Sequence, residues 1–210
     1  MTYKLTALLT LMIIVKLSYG QTCSHNDLST KFDFRTTFRR LKSITTGYDS
    51  CIISINIVDK LTKKHTQTIT LIPSADGDIF SDGDGCNSVR SYTTGKNVNA
   101  QSTDGDYGVF IIADFNFDSK EDIAVKNDVG GNSGPTYTYY IQNKNGQFLI
   151  DSYLTDNMEF FPTFFNKKKR TLTTVVFADV AHLGETTFKL NTLNNSCIKT
   201  GHRFLEMKDK

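Results

Sequence analysis

The sequence predicts an all-β protein whose strands pair mainly as antiparallel hairpins. Apolar residues alternate with polar ones in several segments, most clearly over residues 51–58, where Ile53, Ile55 and Ile57 share one face. The stretch 143–146 (Asn-Lys-Asn-Gly) is a typical hairpin turn between two such segments, and helical periodicity is poor. We expect a small propeller-like domain, with a β-sandwich as the alternative, because alternation does not determine how sheets stack.

The predicted strands follow one another with turn residues between them. Segments 51–58 and 66–72 are expected to form a hairpin around the polar turn 59–64. The stretch 160–165 contains four phenylalanines and is expected to pack beneath a loop. No definite structure is predicted for residues 21–50. Further strands are predicted over residues 107–113, 123–126, 136–142, 147–154, 171–178, 186–193 and 203–207.

The N-terminus has the pattern of a secretory signal. Lys4 gives a positive start, residues 7–15 are almost entirely apolar, and Ser-Tyr-Gly at 18–20 offers small residues for cleavage. We therefore expect a signal peptide over residues 1–20 and a single all-β domain over residues 21–210. No other apolar run is long enough to span a bilayer, so the mature protein is expected to be periplasmic or secreted.

The charge of the mature chain argues against a nucleic-acid partner. The chain has 24 basic residues, of which two lysines lie in the signal segment, so 22 remain against 22 acidic residues. A protein that binds the phosphate backbone needs a surplus of positive charge. The near-neutral balance therefore favours other partners.

Four cysteines remain after the predicted cleavage, and an even number in an exported chain indicates two disulfides. Sequence alone leaves three pairings open. One of them joins Cys23 to Cys197 and Cys51 to Cys86, and it ties the two chain ends together. We expect no free thiol.

Oxygen-bearing residues recur at every second position in the loop 114–122, between two apolar segments. Carboxylates in such a pattern repel one another unless a cation joins them, and an oxygen cage of this kind suits Ca²⁺. The loop is not an EF-hand, because position 12 is Val125 and the flanks are predicted strands. The expected ligands are Asp114, Asn116, Asp118 and Asp122 at positions 1, 3, 5 and 9, with the backbone carbonyl of Lys120 at position 7.

A second acidic stretch, over residues 76–84, carries four aspartates between glycines. It lacks the 1, 3, 5, 9 spacing of the first loop. An exposed turn and a second cation site both remain possible interpretations of this stretch.

The sequence contains no assembled set of catalytic residues. Its histidines are scattered, and neither the metalloprotease H-E-x-x-H motif nor the hydrolase G-x-S-x-G motif is present. We therefore expect a binding protein rather than an enzyme.

Three segments together resemble exported bacterial proteins with FG-GAP/VCBS-type repeats: residues 89–97, 113–122 and 130–137. The calcium loop of that repeat is D-x-[DN]-x-D-G-x-x-D, and this chain departs from it at Ser119, where the repeat usually has Gly. The group includes periplasmic immunity proteins that inhibit lysozyme-like peptidoglycan hydrolases. The resemblance implies a calcium-binding inhibitor whose partner is such a hydrolase.

Ser133, Gly134 and Tyr137 are similar to the S-G-x-Y loop that bacterial lysozyme inhibitors insert into the hydrolase cleft. This chain has S-G-x-x-Y, one residue longer. The resemblance implies that the hydroxyls of Ser133 and Tyr137 donate hydrogen bonds to the paired carboxylates of the cleft. The alternative is that the segment is only a Gly/Pro turn before a strand.

A second function remains open at this point. The calcium loop is equally compatible with a carbohydrate- or surface-binding module. The absence of Trp weakens that alternative, although the nine tyrosines could supply aromatic faces.

Overall fold

The structure is a computed structural model that describes residues 20–41, 50–73, 85–102, 104–131, 133–191 and 196–207. Nearly all of the predicted signal peptide and the whole acidic stretch 76–84 lie outside the described residues. Within the described ranges, no helix is long and apolar enough to cross a membrane.

The described strands form three sheets, and the all-β class is confirmed. The N-terminal sheet contains β1 (Gly20–His25), β2 (Phe32–Leu41), β3 (Ser50–Asp59) and β4 (His65–Leu71). The central sheet contains β5 (Val89–Ser91), β6 (Phe110–Ala113), β7 (Asp122–Asp128), β8 (Thr136–Gln142) and β9 (Phe148–Ile150). The C-terminal sheet contains β10 (Phe164–Asn166), β11 (Thr171–Phe177), β12 (His182–Asn191) and β13 (Ser196–Glu206).

The strands of each sheet lie in the order in which they follow one another along the chain. Every pairing is antiparallel except that of β5 with β6, which is parallel. The described strands do not close into a barrel, and they do not establish the propeller-like ring expected from the sequence.

The central sheet lies between the other two sheets, and its strand β6 is buried on both faces and carries only apolar residues. In β6, Phe110 and Ile112 face the N-terminal sheet, whereas Ile111 and Ala113 face the C-terminal sheet. The alternation of side chains along a strand produces this division. The protein therefore has two core layers, one on each side of the central sheet.

Aromatic rings connect the N-terminal sheet to the central sheet in the first core layer. The ring of Phe34 meets that of Phe110 edge-on, with their centroids 5.1 Å apart. Phe32 packs in the same way on Phe148, at 5.5 Å. Edge-to-face pairs of this kind add to the stabilisation from burial alone.

The second core layer lies between the central and C-terminal sheets. Leu172 and Phe188 from the C-terminal sheet are buried in it together with Tyr139 from β8. The loop after β6 contributes Phe115, whose ring meets that of Tyr139 edge-on at 5.0 Å. The predicted packing of segment 160–165 is found in part, because Phe161 is buried in the same layer and Phe165 packs against it, whereas Phe164 is 59% exposed.

Several predicted strands match the structure closely, and others differ. The strands predicted over 186–193 and 203–207 begin earlier, as β12 and β13, and the short strands β5 and β10 were not predicted. Predicted strand 136–142 coincides with β8, and the hairpin turn 143–146 is closed by the amide of Asn143, which donates to the carbonyl of Gln147. Residues 147–154 form only the short β9, after which the chain enters a π-helical turn at Leu154–Met158. The segment 21–50, for which no structure was predicted, contains β1 and β2.

The disulfide pairing suggested above is wrong. Cys23 is bonded to Cys86, and this bond joins β1 to the segment that leads into β5. Cys51 and Cys197 are free and buried. They lie in different core layers, so they cannot bond to each other in this fold, and the expectation of no free thiol is also wrong.

Candidate functional site

The acidic loop, residues 114–122, is a tight connection between β6 and β7. The carboxylate of Asp114 accepts hydrogen bonds from the backbone amides of Asp118 and Ser119, both at 3.0 Å. The side-chain oxygen of Asn116 also accepts from the amide of Asp118, at 3.0 Å. Phe117 and Ser119 have positive φ angles of 56° and 68°. The loop therefore curls inward at the position where the FG-GAP/VCBS-type repeat has Gly.

Asp122 fastens the end of this loop to the central sheet. Its side chain is fully buried, and its two oxygens accept from the backbone amides of Phe115 and Gln142, both at 2.9 Å. Burial, with a smaller contribution from the nearby carboxylates of Asp118 and Asp114, raises the pKa of this carboxyl to about 8. Burial also raises the pKa of Asp114. The three acids are thus close enough to repel one another.

Two basic side chains contact the acidic loop. The ammonium of Lys120 lies 2.9 Å from the carboxylate of Asp118. The guanidinium of Arg170 donates to the carbonyl of Asn116 at 3.1 Å and more weakly to that of Phe117 at 3.4 Å. These contacts hold the loop in shape and neutralise part of its charge.

The four side chains predicted as ligands suit calcium in their chemistry, because each offers a side-chain oxygen and three of them, those of Asp114, Asp118 and Asp122, are carboxylic acids. Hydrogen bonds use part of their capacity, since each ionised carboxylate has about four acceptor positions. In the described part of the chain, no three side chains of His, Cys, Asp or Glu are gathered as a metal cluster.

Glu121 connects the acidic loop to the segment between β1 and β2, a contact that no sequence pattern indicated. Its side chain is buried and accepts a hydrogen bond from the hydroxyl of Ser29. It also accepts from the amide of Thr30 at 2.9 Å and from the Thr30 hydroxyl at 3.3 Å. Hydrogen bonds therefore connect the acidic loop to the segment before β2, through Glu121, and to β8 of the central sheet, through Asp122.

The second predicted site, the loop containing Ser133 and Gly134, is packed against the protein rather than extended from it. Gly134 is buried with a φ of +88°, and a Cβ at this position would overlap the carbonyl oxygen of Asp104. The hydroxyl of Ser133 donates to the carbonyl of Phe177 at 2.9 Å. The loop therefore braces the end of β11.

Tyr137 is not available as an exposed anchor, so the sequence-based role for this residue is corrected. Only 1% of its surface is exposed. Its hydroxyl accepts from the amide of Tyr107 at 3.2 Å, and its ring packs edge-on against Phe161 at 5.7 Å. This tyrosine lies inside β8, on the face that meets the C-terminal sheet.

The hairpin between β11 and β12, which the Ser133 loop braces, ends in a tip that is closed by hydrogen bonds. The carboxylate of Asp179 accepts from the amides of Ala181 and His182 at 2.8 and 2.9 Å, and it also contacts the His182 ring at 2.9 Å. Val180 lies at the apex and is 96% exposed. We call residues 178–182 the hairpin tip.

A surface cavity of about 350 Å³ separates this tip from the Ser133 loop. Phe177 is 36% exposed beside it. The lining combines apolar and acidic side chains: Asp104, Ser133, Phe177, Ala178, Asp179, Val180 and Met207.

A second cavity, of about 400 Å³, adjoins the acidic loop. Its walls come from the loop itself, from the turn after β5 and from β10. The lining residues are Tyr92, Thr93, Ala113, Asp114, Phe117, Ser119, Lys120, Glu121, Phe165 and Lys167.

Comparison with known proteins gives a likeness of fold. No protein-family model matches the chain, and no curated protein matches it. A solved structure described as that of a Xanthomonas Type IV Secretion System related protein is similar, with a TM-score of 0.56 and 15% sequence identity. The similarity covers 91% of this chain and 84% of that one. At this level of identity the likeness concerns the fold alone.

Proposed function

We propose that this chain is an exported, calcium-binding inhibitor of a lysozyme-like peptidoglycan hydrolase. The observation that carries the proposal is the hairpin tip, because it presents the apolar side chain of Val180 on a backbone turn that hydrogen bonds to the Asp179 carboxylate close. A preorganised loop loses little conformational entropy when it binds, which is how inhibitory loops gain affinity. Val180 takes the anchoring role that the sequence suggested for Tyr137.

Ser133 and Gly134 act in this proposal as supports for the tip. The Ser133 hydroxyl is already committed to the Phe177 carbonyl, so its effect is to hold the end of β11. Gly134 allows the loop to approach Asp104 closely. The hairpin tip then enters the hydrolase cleft, and the cavity beside it receives part of the cleft wall.

Export is supported by two observations. The bond between Cys23 and Cys86 is of the kind that persists in oxidising compartments. The similar fold belongs to a protein described as related to a Type IV secretion system, which is consistent with an immunity-type role outside the cytoplasm. The pattern of residues 1–20 agrees with both.

Calcium has a structural part in the proposal. Asp114, Asn116, Asp118 and Asp122, with the carbonyl of Lys120, would hold the ion, and its charge would relieve the repulsion among the three carboxylates. Through Asp122 and Glu121 the acidic loop is connected to the central sheet and to the segment between β1 and β2. The ion would therefore stabilise the scaffold on which the tip is mounted.

A cell-wall lysis assay with lysozymes of several types tests the proposal. The protein should slow at least one of them, and Val180→Asp should weaken that inhibition at least about tenfold, because a charge would be buried in an apolar contact. Leu61→Asp is the matched control, since Leu61 is 92% exposed in the turn between β3 and β4. Failure to slow any lysozyme, or full inhibition by Val180→Asp, would contradict the proposal.

A further inference from the structure

We infer that the cavity beside the acidic loop binds a pyranose ring of a saccharide. Its volume of about 400 Å³ falls in the range of small-molecule sites. Its lining differs from that of the cavity beside the hairpin tip. The inference is therefore independent of hydrolase inhibition.

Aromatic side chains supply the apolar part of this cavity. Tyr92, Phe117 and Phe165 line it, and the Tyr92 ring is held in place by stacking on Phe161 with centroids 5.7 Å apart. Tyr92 also contacts Phe165 at 5.2 Å. The wall is thus fixed before any ligand arrives. A pyranose has an apolar C–H face that packs on such a wall.

The polar residues around the cavity offer both donors and acceptors. Lys120 and Lys167 carry ammonium groups, Asp114 carries a carboxylate, and Thr93 and Ser119 carry hydroxyls. Each sugar hydroxyl can both donate and accept a hydrogen bond. A lining with donors and acceptors therefore suits a sugar better than a ligand that only donates or only accepts. Acidic and basic groups are balanced, which favours a neutral sugar over a charged one.

Glu121 lines the same cavity, but its carboxylate is already used by Ser29 and Thr30. Glu121 therefore forms part of the cavity wall and does not serve as a hydrogen-bond acceptor for a ligand. The carboxylate of Asp114 accepts two backbone amides and retains further acceptor positions. We assign to Asp114 the acceptor role toward a sugar hydroxyl.

Titration calorimetry with neutral disaccharides tests the inference, with and without calcium in the buffer. Diacetylchitobiose or cellobiose should bind saturably with a dissociation constant of about 1 mM or tighter. Sorbitol is the ligand control, because it has similar hydroxyls but no ring face, and it should not bind. Saturable binding of either disaccharide in either buffer supports the site.

Adjacent residues in β10 provide a matched pair of variants. Phe165 lines the cavity, whereas Phe164 is 59% exposed and points to the opposite face of the strand. Phe165→Leu should weaken binding roughly fivefold through loss of the aromatic contact, and Phe164→Leu should leave it unchanged. Lys167→Gln, at an exposed position, should weaken it roughly threefold without affecting melting.

Three results would overturn the inference. The first is the absence of saturable binding by both disaccharides to the wild-type protein. The second is binding of sorbitol equal to that of the disaccharides. The third is an equal loss of affinity in Phe164→Leu and Phe165→Leu. Inhibition of a lysozyme is measured separately, so a negative result here leaves the proposed function standing.

Discussion

Burial determines what individual side chains in this protein can do. Tyr137 looks like a contact residue in the sequence, but the structure places it in the second core layer with its hydroxyl bonded to the Tyr107 amide. Val180 carries no sequence motif, yet it is almost wholly exposed at an ordered turn. Cys51 and Cys197 are also removed from solvent. Solvent exposure therefore favours Val180 as a contact residue and excludes Tyr137, the opposite of what their residue types suggested.

The two free thiols should be unreactive in the folded protein. Burial raises the pKa of Cys51 and of Cys197 to about 11, so at neutral pH neither forms the reactive thiolate. Intact-mass analysis after alkylation should show no label under native conditions, two labels in denaturant, and four after denaturation with reduction. Rapid labelling of the native protein would contradict the burial of these residues.

Tyr137→Ala should reduce the free energy of unfolding by about 3–5 kcal/mol, because it removes a large side chain from a packed core. Tyr137→Phe should cost about 1–3 kcal/mol, since the Tyr107 amide loses its partner. Phe164→Ala is the control at an exposed aromatic position. Denaturant titration measures all three, and a negligible effect of Tyr137→Ala would show that the ring is not buried.

At the scale of elements, loops are held by side chains that lie far away in the sequence. Ser133 reaches Phe177, and Glu121 reaches Ser29 and Thr30. No local sequence pattern predicts such contacts, because they depend on how the sheets stack. They fasten the acidic loop and the end of β11 to neighbouring parts of the fold.

Glu121→Ala should destabilise the protein by about 2–3 kcal/mol, because the amide of Thr30 and the hydroxyl of Ser29 lose a charged acceptor in a buried place. Thermal and denaturant unfolding measure this effect. The matched control is Glu185→Ala, whose partner Arg203 is on the surface, and this change should leave the melting temperature nearly unaltered. Equal melting of both variants would show that the Glu121 contacts do not hold the layers together.

At the scale of the whole molecule, the sequence predicted the all-β class and most strands of the central sheet. It did so because β7 and β8 have clear apolar patterns and turns at their ends. It missed β2, although Phe32, Phe34 and Phe38 alternate with polar residues, because charged residues obscured the pattern. The bond from Cys23 to Cys86 could not be derived, since pairing follows from the stacking of the sheets.

Calcium should raise the stability of the whole protein if the acidic loop binds it. At about 100 times its dissociation constant, the ion should add roughly 2.7 kcal/mol to the free energy of unfolding. Asp118→Ala should remove most of that gain, whereas Asp156→Ala, at an exposed position in the π-helical turn, should retain it. Identical melting in chelator and in millimolar calcium would count against a cation in this loop.

Hydrogen exchange on a complex with the lysozyme that is inhibited most strongly tests the central claim most directly. We expect the amides of residues 129–134 and 177–183 to become protected, because the hairpin tip and its supporting loop form the contact. The amides of the β3–β4 turn, residues 60–64, should exchange at the same rate in the free and bound protein. Protection confined to that turn, or no protection in either of the first two segments, would contradict the account.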